Sequence, residues 1–367
     1  LLYDFLRHEP SKRWGKSTKE ELLLRYYSKR KDEVLRLVIQ AVSLRTRISD
    51  IEKLTPNSDG RIRTSYDPVA TVTGRLNSRS SSITEQIGVV KTGPRKGAPV
   101  YQEFGTNLQN VTKALRDVFV TDSDDLLFFQ ADLEGADAWT VAADLAACGD
   151  PRMLEDLRHK VKPSKLLLRM LEEIEAGRDP SVIARLDSVA AKIECDKVIV
   201  PDGLLPDGRP ADWKYVTMKR VQHGTNYLGK PETIAAVIFK DSDGLIDVPV
   251  SIVDKYQRLY LLRYNIDLRR RYIHNQLSTT GSLVTASGTR RKFFGIRNPK
   301  LIDDELIRQA MASEPQTNTT YATNLALSRL WNDPTNRRNS GGLFIEPLLQ
   351  VHDALAGQFP TRLREFA

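Results

Sequence analysis

LLFFQADLEGADAWTVAADLAACGD, Leu126 to Asp150, opens with four apolar residues of strand type, Leu126, Leu127, Phe128 and Phe129, and then delivers Asp132 where a sheet edge would meet solvent. Ala136, Val141, Ala142 and Leu145 follow at helical spacing, so the segment reads strand, acid, helix. Taken alone, Asp132 is read first as a helix N-cap. A second acid changes that reading. Leu348-Leu349-Gln350-Val351-His352-Asp353 is another short apolar run ending in a polar pair at an expected hairpin. Two aspartates brought by separate strands to one spot repel unless cations lie between them, and hard oxygen ligands with open positions suit magnesium. Two such ions, roughly 3.5–4 Å apart, would activate an attacking oxygen and steady a leaving phosphate.

The bulk properties permit this chemistry without requiring it. A chain of 367 residues folds as one large or two to three smaller domains, and its 40% hydrophobic content suffices for real cores. A net charge of +8 suits a polyanionic partner and also occurs in proteins that never meet one. Cys148 and Cys195 have no CxxC partner or His-rich neighbourhood and read as buried or incidental thiols of a reducing compartment. No apolar run approaches membrane-spanning length, and no signal peptide is seen. The first residue, Leu rather than Met, suggests a fragment, domain or processed product.

Leu1 to about Leu54 is helical and heavily charged. Ser17 to Glu20 has capping-box spacing ahead of Leu22, Leu23, Tyr26 and Tyr27, with Lys29, Arg30 and Lys31 as solvated residues; Val34, Leu37, Val38, Ala41, Leu44 and Ile48 mark a second helix. A turn over Asn57–Gly60 leads into alternation from Arg61 to Tyr66. Asn77 to Ser82 with Val89 to Pro99 reads as a polar, Gly/Pro-bearing surface insert. Leu154–Lys165 and Val182–Ile193 are expected as amphipathic helices, Pro201–Pro210 as a connector, and Ile252–Ser278 as one long helix with Arg263 and Arg269 on a solvated, basic face. Gly281–Gly295 suggests a hairpin around Gly288, with Arg290, Arg291 and Lys292 available for phosphates. Lys219, His223 and Tyr227 recur every four residues, which on a helix lines up an ammonium and two rings along one face. For an arbitrary string of that pattern the bland reading is a solvated lysine with two half-buried rings.

The order of these strings resembles that of the DNA polymerase I family (family A). Asp132 within ADLEGADAWTVAADLAACGD, and Val351-His352-Asp353, look like its first and last palm motifs; KRVQHGTNY, Lys219 to Tyr227, looks like its fingers helix, and GSLVTASGTRRKFFG from Gly281 follows in the family's order. Upstream, Thr73-Gly74-Arg75-Leu76 and Asn107-Leu108-Gln109-Asn110 are similar to its primer-template contact segments. Each string alone is weak, whereas the shared order covers most of the chain. The resemblance implies a mixed α/β (α+β) right-hand fold: thumb-base helices over 1–58, a first palm part over 59–150, fingers with an inserted helical element over 151–300, and a second, truncated palm part over 301–367. The long spacing from Asp132 to Lys219 leans toward phage-encoded or divergent members, without a proofreading domain.

What the resemblance implies for function is template-directed DNA synthesis on a primer-template with deoxynucleoside triphosphates, in a bacterial or phage-infected cytoplasm or an organelle, with or without accessory replication proteins. Asp132, Asp353 and the Leu133 carbonyl would hold two Mg²⁺ ions, or Mn²⁺ in their place, and Lys219 would neutralise the departing phosphates. Lys219, Arg220, His223, Tyr227 and Asp137 would meet the nucleotide; Arg75, Asn107, Gln109, Arg116, Arg290, Arg291, Arg308, Gln316 and His352 would meet DNA. Several positions depart from the family pattern. His223 replaces a Phe or Tyr and predicts pH-dependent nucleotide affinity; Leu228 stands where a glycine follows the tyrosine; Tyr215 replaces an arginine. Asp137 is one methylene shorter than the usual glutamate, which predicts looser sugar selection, and Ala354 replaces the acid after Asp353, with Glu134 as an outside substitute. Two other classes stay open: a catalytically lapsed nucleic-acid-binding protein and a metal-dependent nuclease.

Overall fold

The computed structural model describes residues 23, 24, 26, 27, 32–80, 84–111, 113–206, 209–242, 244–296, 298, 301–338 and 341–366. The expected capping box at Ser17–Glu20, Leu22 and the run Lys29–Lys31 lie outside them. The chain divides into two compact units, one made of the described residues up to Thr46 with Asp150–Ile266, the other of Arg47–Gly149 with the residues from Asp267 onward.

In chain order, α1 (Glu33–Glu52) is followed by four short strands, β1 (Thr64–Asp67), β2 (Asn77–Ser80), β3 (Thr84–Val89) and β4 (Pro99–Glu103), which pair antiparallel as β1–β2 and β3–β4. The insert expected as loop therefore holds a strand at Asn77–Ser80, and Val89–Pro99 is the end of a hairpin. Pairing, not apolar alternation, makes β2 a strand: Ser78 is buried, with its hydroxyl joined to that of Thr64 and accepting the Leu108 N–H. Strand β5 (Leu126–Asp132) and α2 (Ala136–Ala147) complete this half of the second unit.

The first unit is helical: α3 (Arg152–Arg158), α4 (Pro163–Glu175), α5 (Ser181–Ala184), α6 (Ser188–Lys197), α7 (Trp213–Asn226), α8 (Pro231–Asp241) and α9 (Val250–Leu261). Both expected helices in its first half are split. Pro163 cannot continue a helix from Leu154 and instead starts α4, after a left-handed Lys160 at φ 59°. Asp187 accepts from the Ala190 N–H and begins α6 afresh.

The single helix expected over Ile252–Ser278 is also two, α9 and α10 (Ile266–Thr280), because the residues between them turn inward. Arg263 and Asp156 are both buried and pair through the Arg263 Nε at 2.6 Å, while its Nη1 donates to the carbonyls of Ala184 and Leu186. Tyr264 and Ser188 add hydroxyl donors to the same carboxylate at 2.7 and 2.8 Å. An arginine expected on a solvated face is thus the polar centre of the first unit, its charge balanced and its donors satisfied.

The second unit closes with α10, β6 (Ser282–Val284), β7 (Arg290–Lys292), α11 (Asp304–Asn332), β8 (Glu346–Val351) and β9 (Ala354–Pro360). Here Arg269, also expected on a solvated face, is fully buried: it pairs with Asp144 of α2 at 2.7 Å and donates to the Met311 carbonyl of α11 at 2.9 Å. That tie goes with the grouping of the residues from Asp267 onward in the second unit. No helix among the described residues is long and apolar enough to cross a membrane.

Candidate active site on the three-stranded sheet

Three antiparallel strands in the order β5-β9-β8 carry the site. The register sets Asp132 opposite Ala354 on one side of β9 and Val351 opposite the same Ala354 on the other. His352 and Asp353 are the two-residue turn between β8 and β9, so Asp132, the last residue of β5, and Asp353, in that turn, lie at the same end of the sheet. Asp132 is exposed and Asp353 half-buried. The N-cap of α2 is Gly135, in the left-handed region at φ 65°, which removes the capping reading of Asp132 and leaves its carboxylate outside the helix.

Close packing fixes this end of the sheet. A Cβ on Gly357 of β9 would lie 2.2 Å from the Glu346 carbonyl oxygen and 2.6 Å from the Phe129 ring, so only glycine lets β5, β8 and β9 approach in this register. The turn residue His352 adopts φ 55°, uncommon for a residue with a Cβ and suited to primed hairpin turns.

Two side chains hold β8 two residues before the turn. The half-buried Tyr66 hydroxyl donates to the Gln350 carbonyl at 2.8 Å and accepts the Gln350 N–H at 2.9 Å, and desolvation pushes its pKa up to about 12. Gln109 donates to the same carbonyl at 3.1 Å while accepting the Ser78 N–H at 3.0 Å. Expected to meet DNA, Gln109 is buried with its amide committed to the fold. Tyr66 was legible only as one residue of an alternating strand, since its partner lies 284 positions away.

The donor set fits hard cations in part. Among the described residues no three His, Cys, Asp or Glu side chains gather as a metal cage, and Ala354 is buried where a third acid would stand. The Leu133 carbonyl accepts the Ala136 N–H at 3.4 Å, which leaves a lone pair. Asp137 of α2 accepts from the Thr319 hydroxyl of α11 at 3.4 Å.

The remaining expected DNA contacts are distributed over the second unit. Asn107 accepts the Gln109 N–H as a local cap, and Arg75 is half-buried beside the Thr71–Gly74 turn. Arg116 is exposed and donates to the Val111 carbonyl and the Gln130 amide. On the β6–β7 hairpin Arg290 donates to Ser282, and Arg291 lies 4.6 Å over the Phe293 ring with its pKa lowered by burial. On α11 Arg308 pairs with Glu305 at 2.7 Å, and Gln316 is half-buried eight residues further on.

In the first unit, α7 carries a line of Tyr215, Lys219, His223 and Tyr227 at four-residue steps. The exposed Lys219 ammonium is 5.6 Å from the Tyr215 ring, and His223 meets Tyr227 edge-on at 4.8 Å. Arg220 pairs with Asp241 of α8 at 2.8 Å. Past the helix, Leu228 holds the left-handed φ of 58° while the Gly229 N–H closes onto the Gly224 carbonyl at 2.8 Å, a glycine-type helix end without its glycine.

With its mixture of helices and strands, the chain has the mixed α/β fold of a DNA polymerase domain. It is similar to the POL domain of Pol1 from M. smegmatis, solved in complex with DNA primer-template and dNTP, with a TM-score of 0.58 over 97% of this chain at 17% identity. At that identity the likeness is one of fold, and the chain spans 52% of the length of that structure. No family model and no curated protein matches the sequence.

Proposed function

We propose that the chain is a template-directed DNA polymerase of the family A type, extending a primer 3′-hydroxyl with deoxynucleoside triphosphates. The observation that carries this reading is the convergence of Asp132 and Asp353 across the β5–β9–β8 register. Asp132, Asp353 and the Leu133 carbonyl would hold divalent cations, magnesium or manganese. When bound, such ions supply activation of the primer hydroxyl and charge neutralisation on the phosphates. Tyr66 and Gln109 keep the His352-Asp353 turn in place, so that Asp353 stays level with Asp132. Lys219 offers a cation to the triphosphate and His223 and Tyr227 offer faces for a base; Arg220, held by Asp241, would have to exchange partners to join them. Primer-template DNA is the partner this reading requires.

Primer extension with magnesium tests it. Wild type should lengthen the primer, and Asp132→Ala or Asp353→Ala should lower extension by at least a thousandfold while duplex binding changes less than about threefold. Unchanged primers from an intact, DNA-binding chain would mark a lapsed polymerase; shortened ones, a nuclease. Extension retained by Asp132→Ala would remove the metal assignment.

A further inference from the structure

The β3–β4 hairpin belongs to no part of the site described above. It is a two-stranded ribbon paired from Thr84↔Glu103 to Val89↔Pro99, continued by Val90–Ala98 and Gly97–Val90 backbone bonds of 2.9 Å each. Seven residues of ladder reach about 20 Å from its base. That base is fixed: Glu85 accepts from the Asn57 amide at 2.7 Å and from the Ser58 N–H. Beyond it both faces are open to solvent, with Ile87, Val89 and Tyr101 50–60% exposed. An isolated ribbon is marginal in water, and apolar side chains held out on one call for a covering surface.

Charge says what kind of surface. Residues 86–102, QIGVVKTGPRKGAPVYQ, contain no acid, and the exposed tip carries Lys91, Arg95 and Lys96 within six residues, none of them in an ion pair among the described residues. A narrow ribbon with a threefold positive tip and apolar flanks fits a grooved polyanion. A B-DNA major groove, about 12 Å wide, admits two strands spaced about 4.8 Å apart, with phosphates along its rim. We infer that the β3–β4 ribbon is a second DNA-binding element, which lies in a groove of duplex DNA with Lys91, Arg95 and Lys96 on phosphates and Ile87, Val89 and Tyr101 against the groove wall. It rests on the polymerase reading only in taking duplex DNA as the polyanion.

The test is the salt dependence of duplex binding by the full chain. Each phosphate contact contributes about 0.9 to the slope of log affinity against log salt. The combined variant Lys91→Ala/Arg95→Ala/Lys96→Ala should lower that slope by about 2.7, and Tyr101→Ala should weaken binding about tenfold with the slope unchanged. Wild-type slope and affinity in both variants would overturn the inference while leaving the polymerase reading intact. Failure of the wild-type chain to bind duplex DNA at all would overturn both.

Discussion

Tyr66 is the residue on which the position of the acidic turn most depends. One hydroxyl satisfies both backbone groups of Gln350, and phenylalanine would leave a buried N–H without a partner. Tyr66→Phe is expected to cost about 1–2 kcal/mol of stability by thermal unfolding. It should also cut the extension rate about tenfold with little change in duplex affinity, because the loss falls on the placement of Asp353. A rate loss no larger than that of a surface variant of equal stability would assign Tyr66 to the fold alone. At this scale the sequence brought out the two acids and hid the side chains that support the turn. Asp132 and Asp353 were readable because each ends an apolar run, whereas nothing local marks Tyr66 or Gln109 as partners of a strand at the far end of the chain. The same blindness put Arg263 on a solvated face, since the acid that buries it lies 107 positions earlier.

Among the elements, α7 and its ending show what local pattern reveals and what it misses. The four-residue spacing of Lys219, His223 and Tyr227 was readable because helical geometry puts such positions on one face. The left-handed ending was not, because Leu228 gives none of the signal a glycine would. Leu228→Gly and Leu228→Ala lose the same side chain and differ in the left-handed backbone, so the glycine variant should be more stable by about 1 kcal/mol. Equal melting temperatures for the two would show that the helix end rearranges. Strands β2, β3 and β4 were hidden for another reason: β2 carries no apolar residue, and in the β3–β4 hairpin the register shift at Gln86/Gly88 breaks the alternation of the few apolar residues while Gly93, Pro94 and Gly97 advertise only a turn. The buried pair in the first unit gives a larger effect. Asp156→Ala leaves the Arg263 charge without its partner and should destabilise by about 3–5 kcal/mol. Thermal melts of Asp156→Ala and of an exposed control, Asp254→Ala, separate that cost from the loss of a surface pair.

For the whole molecule, the two ends of the pH scale act through different carboxylates. Hydrogen bonds hold most shifted acids down, as the Gln358 amide and then Arg61 do for Asp122, and the Lys197 ammonium and then Arg169 for Glu194. Their contribution is present above the ordinary carboxylate value and is lost as pH falls through the lower folded value. Glu314 of α11 behaves in the opposite sense. Burial, and then the nearby Asp144 charge, push it from 4.5 up to about 7, with Arg269 opposing. Asp144 is raised by burial as well, with the Arg269 ion pair opposing, and Glu314 is hydrogen-bonded to it. A group raised in the fold contributes fully below about 4.5, and that contribution is lost as pH rises through about 7. Thermal stability should therefore decline by a few degrees from pH 4.5 to 7, on the order of 1 kcal/mol. Glu314→Gln keeps the donor and cannot ionise, so its melting temperature should be flat across that window; an unchanged decline would place the proton on another group. The glutamate also lines a cleft of about 210 Å³ with Tyr272, Gln276 and Arg290. Ionisation there sets a second negative charge beside Asp144, and at pH 7.5 Glu314→Gln should consequently melt above the wild type.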